Sequence, residues 1–207
     1  MAIYSYVIVR DYGFAPNPFG DYCTLATCKP KIRDHASVGD WVIGTGSTQI
    51  GEKNNLVFAM LINEILTFDE YWHDKRFEYK KPQFNGSLKQ MYGDNVYHFS
   101  KESKEYIQEN SHHSKPDGVR NERNYKRDLK SKKVLISENF WYFGNDSIEI
   151  PKDLCDEICK SGRGRKKIED KKIIKKYEDW LNREKPPGYY GHPHKFEEAE
   201  FQRYEGE

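Results

Sequence analysis

Apolar residues gather in short runs that are rich in Val, Ile and aromatic side chains. Such runs, bounded by Gly, Pro and Asp, are typical of buried strands. The pattern predicts five strands, at residues 3–9, 41–43, 56–66, 95–99 and 134–137. An aromatic cluster at 140–143 continues the predicted core.

Helical spacing dominates the C-terminal third. Within residues 169–183, apolar side chains recur every three or four positions and so share one helix face. Pro151 stands at a favoured first-turn position and opens another helix, which carries Leu154 and Ile158. A helical turn is predicted at 68–72, and a short helix within 23–33 that is interrupted at Pro30.

Three segments show neither the apolar runs of strands nor the spacing of helices. Residues 11–19 contain Gly13, Pro16 and Pro18, and residues 44–47 form a small-residue loop. Residues 111–132 are polar and long for a loop in a compact domain, so we expect them to be functional or mobile.

These elements predict an α+β fold, a small and mostly antiparallel barrel or curved sheet with peripheral helices. We expect one domain over residues 1–193, with a core at 1–150 and C-terminal helices at 151–185. Residues 194–207 are predicted to be an acidic, mobile tail.

Composition excludes two classes. Aromatic residues make up 14% of the 207, which is too many for a disordered chain. No apolar run approaches the roughly 20 residues that span a bilayer. The N-terminus lacks the features of a signal peptide, so we expect a cytoplasmic protein without a membrane partner.

The net charge of +1 conceals a segregation along the chain. Residues 120–133 hold seven basic and two acidic residues, and residues 160–176 hold nine and two. Because local fields decide what binds, these segments are candidates for nucleic-acid backbone contacts, and the alternative is a solvated helix face. The candidate contacts are Arg120, Arg123, Lys126, Arg127, Arg163, Arg165, Lys166 and Lys167.

The four cysteines are expected to be thiols in a cytoplasmic chain. Zinc remains an alternative, although the spacings within the pairs Cys23/Cys28 and Cys155/Cys159 are not the usual ones. Cys28 precedes Lys29, so it could be a nucleophile with a lowered pKa, but the sequence does not identify its base.

Histidines and carboxylates form another candidate cluster. Asp94, His98 and His112 are the candidate catalytic residues, with His113 and Asp117 beside them. Asp11 and Lys29 could assist as acid, base or phosphate ligand. The alternative is that histidines in a polar loop are merely solvated.

A ligand pocket is predicted from two loops and their neighbours. A rigid, proline-containing loop and a glycine loop can approach a flat ligand, while aromatic rings stack on it. The alternative is that the rings are core and the loops only turns. The candidate ligand-binding residues are Tyr12, Phe14, Asn17, Thr24, Cys28, Lys29, Arg33, Trp41, Thr45, Gly46 and Ser47.

Several blocks resemble a known family. The blocks RDYGFAPNPFGDYCTLATCKPKIR, VGDWVIGTGS, FDEYWHDKRFEYKKP, MYGDNVYHF, KKVLISENFWYFG and GYYGHP are similar to the nucleotide modification associated domain, type 2. The resemblance covers nearly the whole chain. It implies a role beside DNA-modification and phage-conflict systems.

A shorter resemblance bears on the fold. VGDWVI, a small-residue loop and VFAMLI are similar to the EVE and ASCH domains of the PUA-like barrels. In those domains the end of this strand lines a pocket for a modified base. Carried over, Thr45, Gly46 and Ser47 lie at the pocket, although EVE domains have bulkier residues there.

The leading functional hypothesis is a domain that binds a nucleotide or modified base, within nucleic acid, for a DNA-modification or phage-defence system. One alternative is an enzyme that acts on such a base. Another is an adaptor that binds protein partners of the same operon. We expect no cofactor and no metal.

Overall fold

The computed structural model describes residues 1–204. Its strands are β1 Ile3–Ile8, β2 Cys23–Leu25, β3 Trp41–Gly46, β4 Asn55–Leu61, β5 Glu64–Thr67, β6 Tyr97–Ser100, β7 Glu105–Gln108, β8 Lys133–Ser137, β9 Asn139–Tyr142, β10 Ile148–Glu149, β11 Lys166–Ile168 and β12 Gly188–Tyr189. Its α-helices are α1 Pro30–His35, α2 Phe68–His73, α3 Leu88–Met91, α4 Glu122–Asp128, α5 Lys152–Ile158 and α6 Lys171–Glu184.

The chain forms two compact units. The first contains residues 1–11, 36–63 and 137–195. Its sheet has the order β11-β1-β3-β4-β9-β12, and β10 pairs with β4. The pairs β1–β3 and β9–β12 are parallel, and the others are antiparallel.

Helix α6 supplies much of the core of the first unit. Its buried residues include Ile174, Tyr177 and Leu181, whose spacing places them on one face of the helix. Asp170 begins the helix because its side chain accepts hydrogen bonds from two free backbone N–H groups. The same apolar cluster contains Trp41 from the sheet.

The second unit contains residues 12–35, 64–136 and the described part of 196–207. It holds the three-stranded sheet β2-β8-β5 and the hairpin β6–β7, both antiparallel where their registers are given. Helix α2 begins with a capping box, in which Thr67 and Glu70 satisfy each other's backbone N–H groups. Phe68, Tyr71 and Tyr97 belong to its aromatic core.

The α+β class and the predominance of antiparallel pairing are confirmed. Within residues 1–204 the sheets form no closed barrel. The strands predicted near residues 3–9 and 134–137 and the helices after Pro151 and Glu169 are confirmed. The strand predicted over 56–66 is instead two strands, since the chain leaves β4 after Leu61 and enters another sheet as β5.

Two other predictions were wrong. Cys23–Leu25 is a strand rather than a helix, and α1 begins only at Pro30, where the proline ring suits a first turn. Residues 44–46 extend β3 rather than forming a loop. The long polar segment, which was expected to be functional or mobile, contains α4.

The expectation of four thiols was also wrong. Cys155 and Cys159 form a disulfide, with Cα atoms 4.8 Å apart. One helical turn brings the two residues together, and their Cα separation lies in the range that a disulfide bridges. Cys23 and Cys28 are free.

No helix among residues 1–204 is long and apolar enough to cross a membrane. Residues 196–204, which fall in the predicted acidic tail, belong to the second unit, where Phe196 and Phe201 pack against its core. The acidic tail residues Glu205 and Glu207 lie outside the described residues.

Candidate active site

Three side chains of the second unit form a hydrogen-bonded chain. The Sγ of Cys28 lies 3.6 Å from Nε2 of His113. On its other side His113 donates from Nδ1 to Oδ2 of Asp128, at 2.6 Å. A thiol, an imidazole and a carboxylate in this order are the parts of an activated cysteine nucleophile.

Cys28 lies in the turn between β2 and α1. Its φ is +55° and that of Lys29 is +36°, in the left-handed region that few residues other than glycine adopt. Such strained conformations cluster at functional sites, where the surrounding contacts enforce them. Burial lowers the pKa of the neighbouring Lys29.

Arg33 enforces this turn. Its fully buried guanidinium donates from Nε to the carbonyl oxygen of Cys28, at 2.9 Å. Its other nitrogens donate to the carbonyl oxygens of Asp128, Ser131 and Lys133. One side chain from α1 therefore joins the Cys28 turn to the end of α4.

His113 is held by a tight turn after β7. Within this turn Ser114 donates its backbone N–H to the carbonyl oxygen of Ser111. The carbonyl oxygen of His113 accepts from the amides of Gln108 and Asn124, at 3.3 and 3.0 Å. The imidazole ring is thus fixed from its backbone as well as from Asp128.

Asp128 is the last residue of α4 and is fully buried. Besides His113, its carboxylate accepts from the backbone N–H of Cys28, the hydroxyl of Tyr97 and Nε of Arg127, at 3.0 to 3.2 Å. Burial alone would raise the pKa of Asp128, but the charge and hydrogen bond of His113 outweigh it and hold the pKa below its usual range. The carboxylate is therefore ionised.

The charges favour a thiolate–imidazolium pair. Burial opposes protonation of His113, but the charges of Asp128 and Cys28 and their hydrogen bonds raise its pKa to about 9. Burial likewise opposes ionisation of Cys28, but the charge and hydrogen bond of His113, with the charge of Arg127, lower the pKa of the thiol. At neutral pH the thiol is poised to lose its proton while His113 keeps one.

Arg127 adds a second positive charge. One of its terminal nitrogens lies 3.8 Å from Sγ of Cys28 and 3.3 Å from Nε2 of His113. The donor atoms of Cys28, His113 and Asp128 lie within 4.8 Å of one another, which is compact enough for a metal ion. However, a guanidinium at this place repels a cation, so the donor set fits thiol chemistry better than metal binding.

Aromatic rings surround the two histidines. Phe14 meets the rings of His112 and His113 edge-on, at centroid distances of 5.0 and 4.6 Å. Tyr12 lies 4.5 Å from the ring of His112. Burial, followed by the charge of His113, lowers the pKa of His112 to about 3, so this imidazole is neutral and donates from Nδ1 to the carbonyl oxygen of Gln202.

Asp94 and His98 make contacts of other kinds. Asp94 is buried and accepts from the hydroxyls of Thr24 and Tyr71, at 2.7 and 2.8 Å. His98 contacts Glu109 at 2.8 Å and stacks on Trp72. Neither residue contacts the Cys28–His113–Asp128 chain in the described structure.

Asn17 and Thr24 belong to a buried polar network. Nζ of Lys80 donates to the backbone and side-chain oxygens of Asn17, at 2.9 and 2.8 Å. Burial lowers the pKa of Lys80 to about 8. Because every group in this network is enclosed by protein, it stabilises the packing around β2 and the 80–94 segment.

The remaining predicted ligand residues lie in the first unit. Trp41 is buried in its core and donates from Nε1 to Glu178, at 3.0 Å. A Cβ at Gly46 would come within 2.2 Å of the carbonyl oxygen of Glu52, so only glycine fits there. Thr45 and Ser47 are both buried, and the Oγ of Ser47 has no hydrogen-bond partner among residues 1–204.

Some of the residues predicted to contact a nucleic-acid backbone lie in the second unit, and the others lie in the first. In the second unit Arg120 pairs with Glu105 and Glu122, Lys126 lies near Glu122, and Arg123 is exposed. Arg127, in contrast, faces the thiol. In the first unit Arg163 is exposed, and Lys167 pairs with Glu169. Arg165 and Lys167 lie over the ring of Tyr4. Lys166 donates to the carbonyl oxygen of Asp156.

The sequence analysis placed His113 in the candidate histidine–carboxylate cluster but did not pair it with Cys28. Asp128 was not singled out, because it is one of two acidic residues in a basic segment.

The fold and this cluster define an α+β protein with a Cys–His–Asp chain in which His113 and Asp128 are buried and Cys28 is half-buried. The chain belongs to the nucleotide modification associated domain 2 family, whose model matches residues 1–200. This membership indicates a role in a nucleotide-modification system. No curated protein and no solved structure matches the chain significantly.

Proposed function

We propose that this protein is a thiol-dependent enzyme that removes an acyl group from an amine of a modified nucleotide. The observation that carries the proposal is the chain from Cys28 through His113 to Asp128. Family membership supports a nucleotide as substrate. In this account Cys28 is the nucleophile, His113 the acid and base, and Asp128 the residue that orients His113.

The first step forms a thioester. The thiolate of Cys28 attacks the amide carbonyl carbon, and the carbonyl electron pair moves to oxygen beside the guanidinium of Arg127. When the carbon–nitrogen bond breaks, the leaving amine takes the proton from Nε2 of His113. The products of this step are the free amine of the nucleotide and an acyl-Cys28.

The second step restores the enzyme. Water attacks the thioester carbon and passes one proton to the now neutral His113. The carbon–sulfur bond breaks, and its electron pair returns to Cys28 as a thiolate. The sum is hydrolysis of an amide by water, and no oxidant or reductant takes part.

The position of the proton favours substitution over addition. Nε2 of His113 lies 3.6 Å from Sγ of Cys28. A proton on this nitrogen is therefore within reach of a group bonded to the carbon that the sulfur attacks. Addition to a pyrimidine ring instead places the sulfur on one ring carbon and the proton on another ring atom, and no leaving amine takes up the proton. A proton donor next to the nucleophile therefore supports loss of an amine from the same carbon.

Acyl transfer to Cys28 tests the proposal. The protein is treated with p-nitrophenyl acetate and, separately, with N4-acetyl-2′-deoxycytidine 5′-monophosphate, and acetylated peptides are identified by mass spectrometry. We expect one acetyl group on Cys28 from each donor, and none with Cys28→Ser. Cys23→Ser is the matched control, because burial raises the pKa of Cys23 to about 12 and keeps this thiol inert.

The proposal is wrong if the wild-type protein acquires no acetyl group on Cys28 from either donor and also releases no deoxycytidine monophosphate from the acetylated nucleotide. It is equally wrong if Cys28→Ser releases deoxycytidine monophosphate from the acetylated nucleotide as fast as the wild type does.

A second candidate function is binding of a modified base without turnover, in a DNA-modification or phage-defence system. The buried, unpartnered Oγ of Ser47 favours it, because a polar ligand would satisfy this atom. The PUA-like interpretation, with a base held at Thr45, Gly46 and Ser47, belongs to this candidate. Binding that weakens in Ser47→Ala and is unchanged in Cys28→Ser would support it.

A further inference from the structure

The last described residues of the chain cross the Cys28 site. Tyr204 donates its backbone N–H to the carbonyl oxygen of His112, at 2.8 Å, and its own carbonyl oxygen accepts from Nδ2 of Asn124, at 2.7 Å. Arg203 donates to the backbone oxygen of Ser111 and to Oγ of Ser114. These bonds tie residues 203 and 204 to the turn that carries His113.

The ring of Tyr204 lies against the charged cluster. Its centroid is 6.1 Å from that of His112, with the planes inclined by 24°, and 5.8 Å from that of His113, inclined by 38°. The guanidinium carbon of Arg127 lies 5.3 Å from the same centroid. A planar ring is therefore held between imidazoles and a guanidinium, which are the groups that stack on nucleobases.

Several buried side-chain oxygen atoms of the second unit lack a hydrogen-bond partner in the part of the chain that the structure describes. Three of them are Oδ1 of Asn124, Oγ of Ser111 and Oγ1 of Thr27. Asn124 and Ser111 already hold residues 203 and 204 through other atoms, and Thr27 precedes the nucleophile. A ligand with N–H donors would satisfy these oxygen atoms, which a tyrosine ring does not.

We infer that Tyr204 occupies the subsite for a nucleobase beside Cys28, and that a bound nucleotide displaces it. The inference deepens the proposed function, because it places the base of the substrate next to the thiolate. The segment is held by hydrogen bonds of Gln202, Arg203 and Tyr204 and lies at the end of the described chain, where local opening costs less than global unfolding.

Nucleotide affinity in a Tyr204→Ala variant tests the inference. The probes are the four 2′-deoxynucleoside 5′-monophosphates, titrated by calorimetry into proteins that also carry Cys28→Ser. Without the competing ring, the best-bound nucleotide should bind about three- to tenfold more tightly, because the competent state is then the main one. Tyr204→Phe keeps a planar ring and should bind like its parent.

Unchanged or weaker binding in Tyr204→Ala, or no binding to any variant, overturns the inference. Because Cys28→Ser is present throughout, the result does not depend on whether Cys28 is a nucleophile. The two proposals therefore fail separately.

A second measurement uses the unaltered chain, in case Tyr204→Ala folds poorly. The backbone N–H of Tyr204 is hydrogen-bonded to His112, so its hydrogen exchange is slowed. A saturating concentration of the nucleotide should speed exchange at residues 202–204 several-fold while slowing it at 111–114. Slower exchange at 202–204 contradicts displacement.

Discussion

Replacing His113 by asparagine should slow alkylation of Cys28 at pH 6, by about tenfold for each unit by which the pKa of the thiol rises, because the thiolate fraction falls in that proportion. The charge and hydrogen bond of His113 are what lower the pKa of this thiol against the effect of burial. Without them burial prevails, and the thiol keeps its proton. The rate with iodoacetamide, followed on the Cys28 peptide by mass spectrometry, measures the effect.

His73→Asn is the matched control, because His73 is exposed and makes its ion-pair contact with Asp69. It should react like the wild type. The difference between wild type and His113→Asn should shrink as the pH rises further, because the thiol of the variant then ionises as well. Equal rates at pH 6 would contradict the role that we assign to His113.

Replacing Asp128 by alanine should lower the free energy of unfolding by about 3–5 kcal/mol, the usual effect of removing one partner from a buried ion pair. Its carboxylate accepts from four partners, among them His113 and the backbone of Cys28. Without it Arg33 and His113 lose the carboxylate that offsets most of their buried positive charge. Urea unfolding at constant temperature measures the loss.

The loss should depend on pH. Because the pKa of Asp128 is lowered by folding, its stabilisation is present above about pH 4, the unfolded value, and fades as the pH falls further. Because the pKa of His113 is raised to about 9, its stabilisation is complete below about pH 6.5 and is lost as the pH rises through 9. The difference between wild type and variant should therefore be largest between these limits.

Asp34→Ala provides the control for Asp128→Ala. Asp34 is an exposed residue of the same unit, and its side chain contacts only His35 in the described structure, at 3.6 Å. Asp34→Ala should change the free energy of unfolding by no more than about 0.5 kcal/mol. A similarly small effect of Asp128→Ala would contradict the buried charge network.

Periodicity predicted most of the fold because burial is local in the elements that carry it. Helix α6 repeats its apolar residues with the helical period, and strand β1 is a nearly continuous buried run of β-branched and aromatic residues, so each pattern indicates both type and position. The prediction of a helix at Cys23–Leu25 was wrong because three residues are too few to show a periodic pattern. The strand forms by pairing with β8, which is distant in the sequence. The prediction of a loop at residues 44–46 was wrong because small residues usually indicate loops. Here the glycines let neighbouring segments of the same unit come close, since a Cβ at Gly44 would meet Phe58 and one at Gly46 would meet Glu52.

The candidate site was harder to predict because its parts are far apart in the sequence. Cys28 was recognised as a possible nucleophile, yet its base lies 85 residues away and the carboxylate a further 15. Neither position carries a local signal, since burial of His113 depends on tertiary contacts with Gln108 and Asn124. The sequence therefore indicated a possible thiol nucleophile, and the tertiary structure was needed to show that His113 and Asp128 lie beside it.

The dependence of Cys28 alkylation on pH tests the central claim most directly. In the wild-type protein the rise in rate should be centred below pH 8.5, the pKa of an ordinary thiol, and the rate should change again near pH 9 as His113 loses its proton. A single transition at or above pH 8.5 would show that Cys28 is an ordinary thiol and would contradict a thiolate–imidazolium pair.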